Sequence, residues 1–275
     1  MSHTILITGA SSGIGKAAAH HFAAQGWNVI ASMRQPEKEH ELGQVSNISL
    51  ARLDVQDPAT IASAIAAGIE QFGAIDVLLN NAGFGQYGAF EAIAPAQIQA
   101  QFDVNVFGVM NTIRAILPHF RQRRAGLIIN VSSGIGRFTL PMLSMYAASK
   151  FALEGFSEGL SYELLPLNIG VKIIEPGGVA TDFHTRSNEL FAPNGGLADY
   201  DAYAATAFGV LGAMGQARLS TAEEVAAVIY GAATDGTNTL RYVIAPDIQA
   251  LFEARTNLPD QEYVNFMRKK FGLEA

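Results

Sequence analysis

The chain has 275 residues, 49% apolar and 16% charged, with a formal net charge of −7 and no cysteine. That composition supports a large core and excludes a disordered chain, disulfides, thiolate metal sites and cysteine nucleophiles. The negative balance argues against nucleic acid or an anionic membrane as a general partner, so any phosphate site has to be local.

The N-terminus enters an apolar strand directly (HTILITG), with no basic segment, apolar stretch and cleavage site in series. No apolar run reaches the roughly 18 residues of a membrane helix, and the expectation is a soluble, cytoplasmic protein. Short β-branched runs near 4–8, 27–32, 49–53, 75–80, 126–132, 170–174 and 240–244 alternate with helical patterns near 13–25, 58–72, 95–124, 144–165 and 221–233. The runs ILIT, VLLN, LIINV and VKIIE are apolar almost throughout, as strands buried on both faces of a parallel sheet are. Asp57-Pro58 reads as an N-cap followed by proline at the first helical position, and Pro166 as a helix stop. Repeated strand–helix–strand units predict one α/β domain: a doubly wound, Rossmann-type parallel sheet of about seven strands with helices on both faces. Ligands of such sheets bind beyond the carboxyl ends of the strands.

At the end of the first strand stands Thr8-Gly9-Ala10-Ser11-Ser12-Gly13-Ile14-Gly15, and a helix follows. Gly9 permits a tight turn, while Gly13 and Gly15 let backbone approach a pyrophosphate and let the helix pack on the sheet. The helix N-terminus adds free N–H groups and a favourable dipole. The spacing is neither G-x-G-x-x-G nor that of a P-loop. The second strand ends in Arg34, where a site for NAD would carry an acid; arginine suits a 2′-phosphate, with Ser12 placed to add a hydroxyl, so NADP(H) is expected over NAD(H). The histidines form no His-x-x-x-His pair, and no metal is expected.

Tyr146 and Lys150 lie four apart on a predicted helix, one turn from each other on one face. An ammonium beside a phenol favours the phenolate, and Ser133, thirteen residues upstream, has a hydroxyl for the same substrate oxygen. Taken alone, Tyr-x-x-x-Lys is common on ordinary helices. The rhythm breaks from about 183, where Phe183, Phe191, Tyr200, Tyr203 and Phe208 cluster; residues 183–215 are expected to form a substrate lid, and those after 245 a helical extension.

These motifs together resemble the short-chain dehydrogenase/reductase family over roughly residues 4–182: Thr8-Gly9-xxx-Gly13-x-Gly15, Asn80-Asn81-Ala82-Gly83, Asn105 in DVNVFG, Ser133, Tyr146-xxx-Lys150, and Pro176-Gly177-x-Val179-x-Thr181. YAASKFALEGFSE also looks like the 17β-hydroxysteroid and retinol dehydrogenase branch. The resemblance implies that Tyr146 is the general acid in reduction and base in oxidation. It makes Lys150 the group that lowers the tyrosine's pKa and binds the nicotinamide ribose, and Ser133 the holder of the substrate oxygen. Asn105 would interrupt its helix and hold a water linking Lys150 to solvent. Asp54 and Val55 would meet the adenine, Ser11, Ser12 and Ile14 the phosphates, Asn81, Ala82 and Gly83 the flank of the cofactor, and Pro176, Gly177, Val179 and Thr181 its nicotinamide end. The substrate pocket would be formed by Ile135, Leu140, Pro141, Leu143, Phe84 and the lid, which suits a hydrophobic ketone, aldehyde or secondary alcohol. Arg137 is the nearest candidate for a carboxylate clamp and is expected instead on the surface. Family members commonly pair through the helices equivalent to 95–124 and 144–165, so a homodimer is expected, with a tetramer as the alternative. A dinucleotide-binding regulator without catalysis, and an epimerase or dehydratase acting on a nucleotide-sugar, are the competing functions.

Overall fold

In the strand Thr4–Thr8 (β1) every residue is buried. Ile5 and Ile7 point to one face and Leu6 to the other, because successive side chains alternate across a strand. A strand apolar on both faces needs cover on both, and the computed structural model, which describes residues 2–183, 187, 190–192, 196–214 and 218–273, supplies it. The other strands are Asn28–Met33 (β2), Ile48–Arg52 (β3), Val77–Asn80 (β4), Gly126–Val131 (β5), Ile169–Pro176 (β6) and Arg241–Ile244 (β7). All pair in parallel in the order β3-β2-β1-β4-β5-β6-β7.

On the face of Ile5 and Ile7 lie helices Gly13–Ala24 (α1) and Ala222–Thr234 (α7), which pack on each other. Phe22 and Tyr230 meet edge-on at 5.2 Å, and Trp27 closes the cluster. On the face of Leu6 lie Pro58–Phe72 (α2), Val109–Arg123 (α4) and Ser144–Leu164 (α5). Each fully buried Ile or Leu in these layers contributes about 1.5–3 kcal/mol by leaving water. The Asp57 side chain accepts the Ala59 N–H at 2.9 Å, so Asp57-Pro58 does start α2. α5 ends at Leu164, and a tighter turn, Leu165–Leu167, carries Pro166.

The helix expected over 95–124 is divided. Pro95–Phe102 (α3) passes into a π-helical turn, Asp103–Gly108, before α4 begins. The extra residue of the wider turn lets Asn105 point inward to the end of β4 instead of along the helix. Beyond β6, Asp201–Met214 (α6) belongs to the expected lid, with Phe191 edge-on to Phe208 at 4.9 Å. Residues 184–186, 188, 189, 193–195 and 215 of that lid lie outside the described residues. Helices Gln249–Asn257 (α8) and Asp260–Lys270 (α9) form the extension, and Ile248, Leu251 and Tyr263 pack in one cluster with Ile135, Phe138 and Tyr146.

The amino ends of β1, β4 and β5 are stapled by Asp76. Its carboxylate accepts the Thr4 N–H at 2.9 Å and pairs with Arg123 at 2.7 Å, while Arg123 also donates to the Ile75 carbonyl at 2.6 Å. The Asp76 carbonyl accepts the Leu127 N–H at 2.9 Å.

Candidate active site

The sheet order reverses between β1 and β4, and the chain leaves both strands toward the same crevice. Gly9 turns there with φ +69°, a conformation only glycine takes without strain, and a Cβ on it would stand 2.9 Å from the Ala82 Cα. The turn is fixed from the β4 side. Thr8 Oγ1 accepts the N–H groups of Asn81 and Ala82 at 3.0 and 3.2 Å, and Asn81 Nδ2 donates to the carbonyls of Thr8 and Gly9 at 3.0 and 3.1 Å. Gly15 stands behind this turn: a Cβ there would lie 2.4 Å from the Gly9 carbonyl oxygen.

A cavity of about 1010 Å³ opens along the carboxyl ends of the strands. Gly9, Ser11, Ser12, Gly13 and Ile14, at the start of α1, line one end with Arg34, Asp54 and Val55. Arg34 is exposed and has no ion pair among the described residues, and Asp54 accepts the Gln56 N–H at 3.0 Å. Asn81, Ala82, Gly83 and Phe84 line the middle. Ser133, Ile135, Leu140, Leu143, Tyr146, Lys150, Pro176, Gly177, Val179 and Thr181 line the other end. Of the residues expected to bind cofactor or substrate or to act in catalysis, Gly15, Asn105 and Pro141 do not line the cavity, nor do Phe191, Tyr200 and Tyr203 of the expected lid. At Pro141 the chain turns through Met142, whose φ of +64° directs its backbone back, and Met142 takes the wall place expected of Pro141.

Tyr146 and Ser133 lie together on the cavity wall, close enough for the serine hydroxyl to act on the phenol. Ser133 Oγ also accepts the Ile135 N–H at 3.2 Å and donates to the Pro176 carbonyl at 3.4 Å, which joins the Tyr146 end of the cavity to the end of β6. The neighbouring Ser132 Oγ is buried without a hydrogen-bond partner among the described residues and lies on the Glu154 side. Lys150 is buried, and its Nζ donates to the Val131 carbonyl at 2.9 Å and stands 5.9 Å from the centre of the Tyr146 ring. Burial lowers the Lys150 ammonium to about 8, although Glu154 opposes the shift. Burial raises the Tyr146 phenol, with Tyr87 adding to the rise and the Ser133 hydrogen bond opposing it. Burial thus opposes the phenolate that a neighbouring ammonium would favour.

Asn105 is buried and braces the crevice. Its Oδ1 accepts the Phe84 N–H at 3.1 Å, and its Nδ2 donates to the Phe84 carbonyl at 2.8 Å and to Ser149 Oγ at 3.2 Å. Ser149 Oγ in turn donates to the Tyr146 carbonyl at 2.8 Å, so one carboxamide ties the loop after β4 to α5.

Residues the sequence did not single out complete the wall. The Tyr87 ring stands 6.0 Å from that of Tyr146, edge to face, and Phe183, expected in the lid, flanks Tyr146 at the same distance. Burial pushes the Tyr87 phenol up to about 12, against a hydrogen bond with Ser187. Asp247, just after β7, accepts the Gly178 N–H at 2.9 Å. The tandem Gly177-Gly178 hints at a close neighbour, but nothing local names Asp247. Arg137 points away from the cavity and pairs with the buried Glu175 at 3.2 Å. Among the described residues no group of acids and histidines is arranged to hold a metal, and no helix is long and apolar enough to cross a membrane.

The donor set fits a nicotinamide dinucleotide. The glycine cradle that admits no Cβ at Gly9 opens the first N–H groups of α1 to a pyrophosphate. The cavity runs from that helix end to Lys150, and its volume is at the upper end of the about 300–1,000 Å³ typical of ligand sites, room for a cofactor and a substrate together.

Residues 3–190 match the family model for short chain dehydrogenase. An uncharacterised oxidoreductase of Schizosaccharomyces pombe is 36% identical over 244 residues, covering 88% of this chain and 100% of its own. A solved short-chain dehydrogenase from Streptomyces avermitilis superposes with a TM-score of 0.79 at 32% identity, covering 96% of this chain and 97% of its own. A variant of actinorhodin polyketide ketoreductase, solved with NADPH, gives a TM-score of 0.77 at 26% identity over 89% of this chain and 96% of its own.

Proposed function

Because the chain belongs to the short chain dehydrogenase family of oxidoreductases, we propose that it transfers a hydride reversibly between NADP(H) and a hydrophobic carbonyl/secondary-alcohol pair, with Tyr146 as general acid and base. The observation that carries this reading is the placement of Tyr146 and Ser133 beside buried Lys150, on the wall of a cavity that also reaches the N-terminus of α1. The bound nicotinamide supplies or accepts the hydride. Lys150 and the backbone from Pro176 to Thr181 hold its ring end, and the first turn of α1 holds the phosphates. Ser133 hydrogen-bonds the substrate oxygen, and Tyr146 gives its proton to that oxygen as negative charge grows there. A raised phenol is protonated at neutral pH, the form that reduction needs.

Arg34 favours NADP(H): a guanidinium at the end of β2 with no ion pair among the described residues suits a 2′-phosphate, and no acid stands there to take a ribose hydroxyl. The substrate end is bounded by Ile135, Leu140, Leu143, Met142, Tyr87 and Phe183, with Phe208, Leu211 and Met214 of the lid segment opposite. Such walls suit an apolar substrate presenting one polar oxygen to Ser133 and Tyr146.

A single set of assays tests this. Purified protein is given NADPH or NADH with a panel of hydrophobic ketones and aldehydes, and oxidation of the coenzyme is followed. NADPH is expected to give the higher kcat/KM, and Tyr146→Phe to lose at least about 10²-fold in turnover while still binding coenzyme. Coenzyme binding with no turnover on any carbonyl would favour a non-catalytic regulator, and full activity in Tyr146→Phe would remove the tyrosine from the chemistry.

A further inference from the structure

The turn after β6 is held by a residue from the other side of β7. Gly178 N donates to Asp247 Oδ2 at 2.9 Å. A Cβ on Gly177 would stand 2.1 Å from Asp247 Oδ1, and one on Gly178 would stand 3.0 Å from Oδ2 and 2.6 Å from Leu219 Cδ2. A side chain at Gly177 would have to displace this carboxylate, and one at Gly178 would have to displace Leu219 as well. Val179, next along, pairs with Ser220, and the Pro176 carbonyl just before receives Ser133 Oγ at 3.4 Å. Asp247 therefore holds a segment that abuts the Ser133–Tyr146 end, and Gly177, Gly178 and Asp247 all line the same cavity. Its other oxygen, Oδ1, is buried with no hydrogen-bond partner among the described residues. No ion pair among the described residues neutralises it, and the group donating to it, a backbone N–H, is uncharged.

We propose that Asp247 is a positioning residue for the nicotinamide end of the cofactor: its carboxylate holds the Gly177–Gly178 turn on the cavity wall, and its unneutralised charge favours the cationic, oxidised nicotinamide over the neutral, reduced one. The inference rests on the reading of the cavity as a nicotinamide dinucleotide site. A fixed negative charge on the wall, partly shielded from water, interacts with a ring that is positive in one redox form and neutral in the other, and does so through a medium less polarisable than bulk water. The uncharged glycine N–H group satisfies one lone pair of the carboxylate without cancelling its charge.

Calorimetric titration separates holding from charge. Wild type, Asp247→Asn and Asp247→Ala are each titrated with NADP+ and with NADPH, and in parallel with NAD+ and NADH. Asparagine keeps an oxygen for Gly178 N and removes the charge, so its Kd for the oxidised form is expected to rise about tenfold while that for the reduced form moves less than about twofold. Alanine removes both charge and hydrogen bond: both affinities fall, with the same change in their ratio. A merely structural role would weaken both forms equally in both variants, and that result overturns the proposal. If wild type binds none of the four coenzymes, the dinucleotide reading itself fails and the proposal with it. If wild type binds them and neither variant moves the ratio, the proposal alone fails.

Discussion

Tyr146 and Lys150 titrate in directions set by their burial, and this decides how activity should follow pH. Lys150 is an ammonium below about 8 and neutral above it, whereas the raised Tyr146 phenol keeps its proton through that range. In the reduction direction the basic limb of kcat/KM, which reports free-enzyme groups, therefore belongs to the lysine. The profile is expected to be level through neutral pH and to fall as pH rises through about 8. Lys150→Arg should lower the rate but move the fall to higher pH, since a guanidinium stays charged. A wild-type profile that stays level up to the ordinary lysine range would contradict this. Tyr146, Lys150 and Ser133 were legible as a candidate set because their spacing is local: two residues one turn apart on one helix, and a serine at the end of the preceding strand. Their protonation was not, because it depends on burial within the fold and on charged or ionisable neighbours such as Tyr87 that come from other loops. Asp247 was illegible for a similar reason. Its partner Gly178 lies 69 positions away, and an Asp in a turn carries no periodic signal.

The division of the expected 95–124 helix is what brings Asn105 to the loop after β4. Its carboxamide satisfies both backbone polar groups of Phe84 as well as Ser149. Removing it leaves those groups unpaired in a half-buried loop, and Asn105→Ala is expected to destabilise the protein by about 2–4 kcal/mol in urea unfolding. Activity should fall too, because Gly83 and Phe84 line the cavity. Unchanged stability would mean that water replaces the amide there. The strands were readable as elements because residues such as Ile5, Leu6 and Ile7 bury both faces, which leaves little alternative for a short apolar run. The π-helical turn had no signal of its own in DVNVFG, whose pattern suits a continuous helix, and Asn105 was noticed through the family motif. The reversal at Met142 was hidden as well: a non-glycine residue at positive φ, packed in one cluster with Ala89, Ala204 and Ala207, has no signal in the turn chemistry of LPML.

Across the molecule, the layer on the face of Leu6 leaves aromatic surface toward solvent. Phe107 is 49% exposed beside α4, and Phe151 is 41% exposed on α5. Apolar side chains grouped on an outer layer commonly mark an association surface, so a homodimer through these helices is expected. Light scattering should give the mass of two chains, and Phe151→Asp should shift it toward one. A monomer at micromolar concentration in the wild type would refute the dimer. The opposite rim of the sheet has a different character. Asp76 binds Thr4, Arg123 and the start of β5 at the amino ends of the strands, while every group assigned to chemistry lies at the carboxyl ends. The two rims are separate fields for change: sequence can drift at the Asp76 rim, trading one way of closing the layers for another, without retuning the reaction, while the far rim explores new substrates on an unaltered chassis.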